Sequence, residues 1–169
     1  AIPVKLRGVD GEVAANVRAA LSIERLEPAR RAELGPARLA HLVRQVPREA
    51  RRAMEPYGYY GPEVDARIEG EGAARRIVVQ IDPGEPVRVA SRSIQLDGEG
   101  QDDPVLKEGL DRLRPSERQV FDHRRYEAGK ADMERRFNER GYFDHQTRTA
   151  RVEVTRETRR ADIDLAWDS

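Results

Sequence analysis

The chain has no cysteine among its 169 residues, which excludes disulfides, thiol catalysis and cysteine-ligated metal sites. It also has no excess of charge of one sign, because 31 Lys and Arg side chains balance 31 Asp and Glu. Binding to a phosphate backbone needs a basic excess, so nucleic-acid binding is disfavoured. No apolar run approaches the roughly 20 residues that a membrane-spanning helix needs. A signal peptide and an initiator Met are both missing, so we expect a processed or excised chain.

Residues that perform chemistry are few and scattered. The three histidines, His41, His123 and His145, have no second ligand at helical spacing, and we expect them to be surface residues. No serine lies in a nucleophile motif, and residues 98–100 lack the third glycine of a phosphate-binding loop. The acidic pair at 102–103 is typical of a helix cap. The sequence therefore predicts neither an enzyme nor a bound metal or cofactor.

The two halves of the chain resemble each other. The tripeptide at 58–60, Gly-Tyr-Tyr, recurs as Gly-Tyr-Phe at 141–143, and residues 4–8 are similar to residues 94–98. Self-similarity at a long period indicates tandem structural units. We therefore predict two domains, residues 1–84 and 85–169, each with a modest core of its own.

Hydrophobic periodicity predicts five elements in the first unit, in the order strand, helix, helix, strand, strand: residues 2–8, 12–21, 36–46, 64–68 and 77–81. Residues 22–35 have no readable pattern. Pro47 either kinks the second helix or begins a further one. Gly58 suits the left-handed position that ends a helix.

The second unit repeats this order. Asp103 and Asp122 are predicted to cap its two helices, and Gly141 to end the second of them. Its strands are predicted at residues 87–96, 150–154 and 161–165. Short connections make the last two strands of each unit antiparallel, while the first reaches the sheet across helices. The predicted fold class is therefore α+β, with a three-stranded mixed sheet packed against helices in each unit.

These elements resemble POTRA domains, the periplasmic modules of Omp85-type outer-membrane proteins. The resemblance rests on Gly8 and Gly98 after the first strands and on the Gly-Tyr-aromatic tripeptides after the helices. Residues 83–89 look like the junction between consecutive POTRA domains. Residues 54–60 and 140–144 are similar to the first and second POTRA domains of the TamA subfamily. The resemblance covers essentially the whole chain.

The resemblance implies two tandem POTRA domains that act as a non-catalytic periplasmic interaction module. It implies docking of a TamB-like, inner-membrane-anchored protein during assembly or translocation of outer-membrane proteins, autotransporters included, and a role in lipid transport between membranes. The family continues beyond two such domains, so we expect a soluble piece of a longer outer-membrane protein. Alternatives are the POTRA region of the main barrel-assembly protein or of a two-partner secretion transporter. A small periplasmic ligand-binding protein or hydrolase is the alternative from another class.

By the same resemblance, the second strand of each unit lies at a sheet edge, where a partner adds its own strand. The candidate partner-binding residues are Val64, Ala66, Arg67, Ile68, Thr149, Arg151 and Glu153. The charges of Arg151 and Glu153 suit edge protection equally well, so both interpretations stand.

The Gly-Tyr-aromatic tripeptides are predicted to be structural. Glycine would supply the left-handed helix end, and the two rings would pack the helix onto the sheet. The residues of this motif are Gly58, Tyr59, Tyr60, Gly141, Tyr142 and Phe143.

Overall fold

The computed structural model describes residues 1–169, which form two compact units, Ala1–Glu85 and Pro86–Ser169. The first unit contains, in chain order, β1 (Val4–Arg7), α1 (Gly11–Ala20), α2 (Pro28–Glu33), α3 (Pro36–Met54), β2 (Glu63–Glu69) and β3 (Arg76–Asp82). The sheet order is β1-β3-β2, with β1 parallel and β2 antiparallel to the central β3. The predicted mixed sheet is confirmed, with β2 at one edge.

Helix α3 runs through Pro47 without a break, so of the two alternatives at this proline the beginning of a new helix is wrong. An interior proline costs a helix about 3 kcal/mol, because it removes one backbone hydrogen bond and crowds the preceding turn. Seven side chains of α3 are buried along one face, and a large buried apolar side chain contributes about 1.5–3 kcal/mol. Tertiary burial therefore outweighs the local preference.

The segment at 22–35 forms a 3₁₀ turn, Ser22–Arg25, followed by the short helix α2. The side chain of Arg31 holds this segment against the rest of the unit and is only 4% exposed. The Arg31 guanidinium donates hydrogen bonds to the carbonyl oxygens of Ile23 (2.8 Å) and Ile2 (2.7 Å) and lies 3.3 Å from the Glu24 carboxylate. The helix is held by a buried charged side chain that bonds to backbone carbonyls. Its sequence therefore has no apolar periodicity, and the hydrophobic pattern does not predict it.

The second unit contains β4 (Arg88–Asp97), α4 (Pro104–Arg112), α5 (His123–Glu139), β5 (Gln146–Thr155) and β6 (Arg160–Asp168). Its sheet order is β4-β6-β5, with β4 parallel and β5 antiparallel to the central β6. Both predicted caps are confirmed, since Asp103 accepts from the Val105 amide (2.9 Å) and Asp122 from the Arg124 amide (3.0 Å). The predicted fold class, α+β with a three-stranded mixed sheet against helices in each unit, is confirmed.

Each unit has a core between its helices and the inner face of its sheet. In the first unit the largest fully buried side chains are Ile2, Leu21, Ile23, Leu39, Met54, Ile77 and Ile81. In the second they are Leu106, Phe121, Met133, Phe137 and Trp167. None of the helices is both long enough and apolar enough to span a membrane.

Gly8 and Gly98 close the first strand of each unit with φ angles of +96° and +94°. A Cβ atom on Gly8 would lie 1.7 Å from the Ile81 carbonyl oxygen, and one on Gly98 would lie 2.4 Å from that of Ser169. Both positions therefore require glycine, for the backbone angle and for the close approach of two chain segments.

Strand β4 lies at a sheet edge and contains an arginine on its core-facing side. Arg92 pairs in register with Ile163, whose side chain is buried, and the register shifts between Val89 and Ser91. The Arg92 guanidinium donates to the carbonyl oxygens of Leu113 (2.8 Å) and Pro115 (3.2 Å). Burial lowers the pKa of Arg92, and the neighbouring Arg114 charge lowers it further.

Candidate functional site

Strand β2 has one strand neighbour, β3, so its other backbone edge is open. Val64 and Ala66 are half-buried and pack against the core of the first unit. Ile68 continues the same side of the strand, because its register partner is the buried Ile77, yet it is 38% exposed. The inner side of β2 is therefore a half-open apolar strip.

The outer side of β2 carries a row of ion pairs. The Arg67 guanidinium contacts the carboxylates of Asp65 (2.6 Å) and Glu69 (2.7 Å), and Arg76 reaches Glu69 at 2.9 Å. Hydrogen bonding to Glu69 and Asp65 raises the pKa of Arg67, and the bond from Arg67 lowers that of Glu69. These pairs are exposed, so they add little stability. Arg67 and Asp65 pair along the strand rather than across the open backbone edge.

Strand β5 lies at the equivalent edge of the second unit. Thr149 is half-buried there, whereas Arg151 and Glu153 are exposed and form an ion pair at 3.3 Å. The register against β6 shifts between Thr147 and Thr149, which marks a bulge at the beginning of the strand. Bulges and charges on an edge strand hinder the pairing of a further strand, so β5 is the better protected of the two edges.

The glycines of the two tripeptides end their helices. Gly58 and Gly141 have φ angles of +93° and +84°. The residue after each glycine donates its amide back into the helix, from Tyr59 to the Met54 carbonyl (3.3 Å) and from Tyr142 to that of Phe137 (2.8 Å). This hydrogen bond is typical of a Schellman helix end.

The aromatic rings of the tripeptides differ in their packing. Tyr59 packs against the core of the first unit. The Tyr142 hydroxyl donates to the Asp103 carboxylate (3.0 Å), and this bond raises the pKa of Tyr142. Phe143 is 75% exposed, so the prediction that both rings pack onto the sheet is wrong for Phe143. Its ring points into solvent directly before β5.

His145 is mostly buried, so the prediction of a surface residue is wrong for it. Its ring stacks on Phe137 with a centroid separation of 4.5 Å, and its side chain is 11% exposed. Nδ1 lies 2.8 Å from the Tyr142 carbonyl oxygen, and Nε2 contacts the Glu134 carboxylate. Both partners accept hydrogen bonds, so the geometry favours the doubly protonated imidazolium. Burial lowers the pKa of His145, but these two acceptors raise it more, and the net shift is upward.

This shift predicts that stability falls as pH rises through the neutral range. A raised folded-state pKa contributes stability that is fully present below the unfolded value of about 6.5 and is lost as pH rises through the higher folded value. We expect urea midpoints, followed by Trp167 fluorescence, to fall as pH rises above about 6.5. In the His145→Gln variant this part of the pH dependence should disappear. An identical slope in both proteins would contradict the prediction.

Comparison with protein families bears on the first unit. Residues 3–83 match the family model described as POTRA domain TamA domain 1. Over these residues the first unit is similar to a POTRA domain. The match spans β1 to β3, and the second unit repeats the element order and sheet order of the first unit, apart from the short helix α2.

Solved structures similar to the chain include POTRA domains 3–5 of BamA from Haemophilus influenzae (14% identity, TM-score 0.44, 99% of this chain and 65% of that one). Another is BamA from Haemophilus ducreyi lacking POTRA domains 1–3 (16% identity, TM-score 0.41, 99% of this chain and 29% of that one). A third is POTRA domains 1–2 of the periplasmic domain of Omp85 from Anabaena (17% identity, TM-score 0.37, 98% of this chain and 93% of that one). The chain thus spans 65% of the first of these structures and 29% of the second.

The predicted partner-binding residues of the first unit all lie on β2, but they divide between its two sides. Val64, Ala66 and Ile68 form the apolar strip, and Arg67 belongs to the outer ion pairs. On β5, Arg151 and Glu153 share the outer side, where their register partners are Asp164 and Asp162. The β2 edge therefore combines an open backbone with an apolar strip, which are the two features that strand addition uses.

Proposed function

We propose that this chain is a non-catalytic periplasmic interaction module of a TamA-like outer-membrane protein. It docks extended segments of partner proteins, a TamB-like inner-membrane-anchored protein among them, during assembly or translocation of outer-membrane proteins such as autotransporters. The observation that supports this most is the match of residues 3–83 to the first POTRA domain of TamA, which favours TamA over the main assembly protein. The open β2 edge lies within that match.

The proposed mechanism is strand addition at β2. A partner segment pairs its backbone with the open edge, and the main-chain hydrogen bonds supply affinity without regard to sequence. Selectivity comes from the apolar strip. Val64, Ala66 and Ile68 point to one side of the sheet, and every second side chain of the added strand lies beside them on that side. A partner with alternating apolar and polar residues fits this edge best. On the outer side, the existing ion pairs leave no unpaired charge on Arg67 or Glu69 to oppose docking.

Proline substitution at neighbouring β2 positions tests this mechanism. Successive residues of a strand direct their N–H groups to opposite sides, so one of Ala66 and Arg67 points its N–H at the open edge. Proline at that position spares the β2–β3 ladder and obstructs an added strand, whereas proline at the other breaks the ladder. Circular dichroism and a thermal melt identify which of Ala66→Pro and Arg67→Pro retains the fold.

The folded variant should bind a purified periplasmic segment of a TamB-like protein at least about tenfold more weakly than the unsubstituted chain, because the added strand loses hydrogen bonds and meets the proline ring. The matched control is the folded member of the pair Arg151→Pro and Val152→Pro on β5. Unchanged binding by the folded β2 variant would refute docking at β2. Loss of binding only in the β5 variant would move the site to the second unit.

A further inference from the structure

The helical layer of the first unit contains a hollow of about 360 Å³ between α1 and α3. Three guanidinium groups line it, from Arg25 in the 3₁₀ turn and from Arg48 and Arg52 of α3. Ala20 and Ala53 are small, so side-chain bulk does not fill the hollow. We call this feature the arginine hollow.

The charges of the arginine hollow are not neutralised within the chain. Arg25, Arg48 and Arg52 form no ion pair, although most other arginines of the molecule contact a carboxylate or a carbonyl. Glu49, the acid that lines the hollow, accepts hydrogen bonds from the amide (3.1 Å) and hydroxyl of Ser22. Glu49 thus places one carboxylate beside three exposed guanidinium groups, which leaves an excess of positive charge in the hollow.

Helix α3 itself is destabilised by this arrangement. Arg44, Arg48 and Arg52 follow one another at intervals of four residues, so like charges stand next to each other on the same side of the helix. The helix contains five arginines and one acid, Glu49, in a chain whose total charge is zero. An anionic partner that binds beside this row would relieve the repulsion between its arginines.

The second unit has an equivalent feature between α4 and α5, a hollow of about 380 Å³ lined by Arg112, Arg114, Arg125 and Arg136. Arg112 and Arg136 contact carboxylates of their own unit. The Arg114 guanidinium donates only to backbone carbonyls, and the Arg125 side chain contacts no acid. A recess between the first and last helices with incompletely paired arginines is therefore found in both units.

We propose that the arginine hollow of the first unit binds an acidic segment of a partner protein, with Glu or Asp carboxylates bound by Arg25, Arg48 and Arg52. The planar guanidinium fork matches a carboxylate in bidentate geometry, and a recess of this size admits carboxylate side chains of an extended peptide. This surface belongs to the helical layer rather than to the β2 edge. The proposal does not depend on strand addition.

A lipid surface fits this hollow less well. Helices that bind the membrane interface place large apolar side chains beside their basic residues. The exposed large apolar side chains of the chain are Ile68, on β2, and Phe143, in the second unit, so none stands beside the arginine hollow. A recess lined by arginines without an apolar anchor favours a peptide.

Binding of a fluorescein-labelled hexaglutamate peptide, measured by anisotropy at an ionic strength of about 0.1 M, tests the proposal. The Arg48→Gln/Arg52→Gln double variant should bind at least about tenfold more weakly, because each lost charge-assisted bond removes affinity. The control is Arg30→Gln/Arg38→Gln, which removes the same charge from exposed arginines of α2 and α3 outside the hollow. It should change binding less than about twofold, since separated surface charges are screened.

Equal weakening in both double variants would show attraction by net charge alone and would overturn the proposal. So would full displacement of the peptide by equimolar inorganic phosphate, which would indicate a simple anion site. Phosphatidylglycerol vesicles are the third probe. If the vesicles bind only when Arg48 and Arg52 are present, and hexaglutamate does not bind, the partner is a membrane and the proposal is overturned. Circular dichroism checks the fold of each variant, and the single variant Arg48→Gln provides a milder change with a smaller expected loss.

Discussion

Replacing Gly8 by alanine should strongly destabilise the first unit. A residue with a side chain at φ +96° is strained by about 1–3 kcal/mol. The new Cβ atom would also lie 1.7 Å from the carbonyl oxygen of Ile81, a backbone atom of the central strand that cannot move without disturbing the core. We expect a loss of at least about 3 kcal/mol, which is a large share of the stability of a domain of this size.

Hydrogen exchange measured by mass spectrometry is the suitable test, because it assigns lost protection to particular segments. Peptides from β1, α1, α3 and β3 should lose protection in the Gly8→Ala variant. Gly61→Ala is the matched control, since a Cβ there has nothing within 4 Å and the backbone angle is ordinary. That variant should be neutral or stabilised by up to about 1 kcal/mol. Equal protection in the two variants would contradict the close approach at Gly8.

Replacing Phe137 by alanine should cost the second unit about 3–5 kcal/mol. Phe137 is fully buried on α5, and its ring lies 4.5 Å from that of His145 and 6.3 Å from that of Trp167. The truncation leaves a cavity among these rings and removes the surface on which His145 stacks. The pH dependence attributed to His145 should weaken in the same variant.

Urea unfolding followed by tryptophan fluorescence measures this effect directly. Trp167 is the single tryptophan of the chain, is 1% exposed and reports on the second unit. The control is Phe143→Ala, the same chemical change at a side chain that is 75% exposed, and we expect it to stay within about 0.5 kcal/mol of the unsubstituted chain. Similar losses in the two variants would contradict the different packing of the two phenylalanines.

The elements that the sequence predicted well are those that local chemistry decides. Asp103 and Asp122 bind amides two residues ahead, so both helix starts are determined within a few residues. The left-handed glycines at 58 and 141 likewise end helices by a local rule. The antiparallel direction of the last two strands of each unit followed from the short connections between them.

The predictions that failed depend on contacts that are distant in sequence. Helix α2 is held by Arg31, whose carbonyl partner on Ile2 lies 29 residues away. Pro47 remains within a helix because the buried face of α3 outweighs its local cost. Phe143 is equivalent to Tyr60 in the sequence repeat. The Tyr60 ring is half-buried and the Phe143 ring is exposed, and the sequence similarity between the two halves does not predict this difference.

The candidate site divides in the same way. The resemblance to POTRA domains implied an edge position for β2. It could not imply the row of ion pairs from Asp65 to Arg76 on the outer side, because that row joins two strands. The arginine hollow had a signal in the sequence, the spacing of four between Arg44, Arg48 and Arg52. That signal has meaning only once the helix is known to continue through Pro47.

The arginine on the core-facing side of β4 has a consequence for behaviour at high concentration. Residues 118–121 pair with the beginning of β4, but the backbone edge beyond Val89 is a template on which chains form intermolecular sheets and precipitate. Arg92 obstructs this, because an incoming strand would have to bury the guanidinium or break its bonds to the carbonyls of Leu113 and Pro115. The bulge after Val89 adds a second obstacle. We therefore expect Arg92 and this bulge to hinder intermolecular sheet formation at this edge.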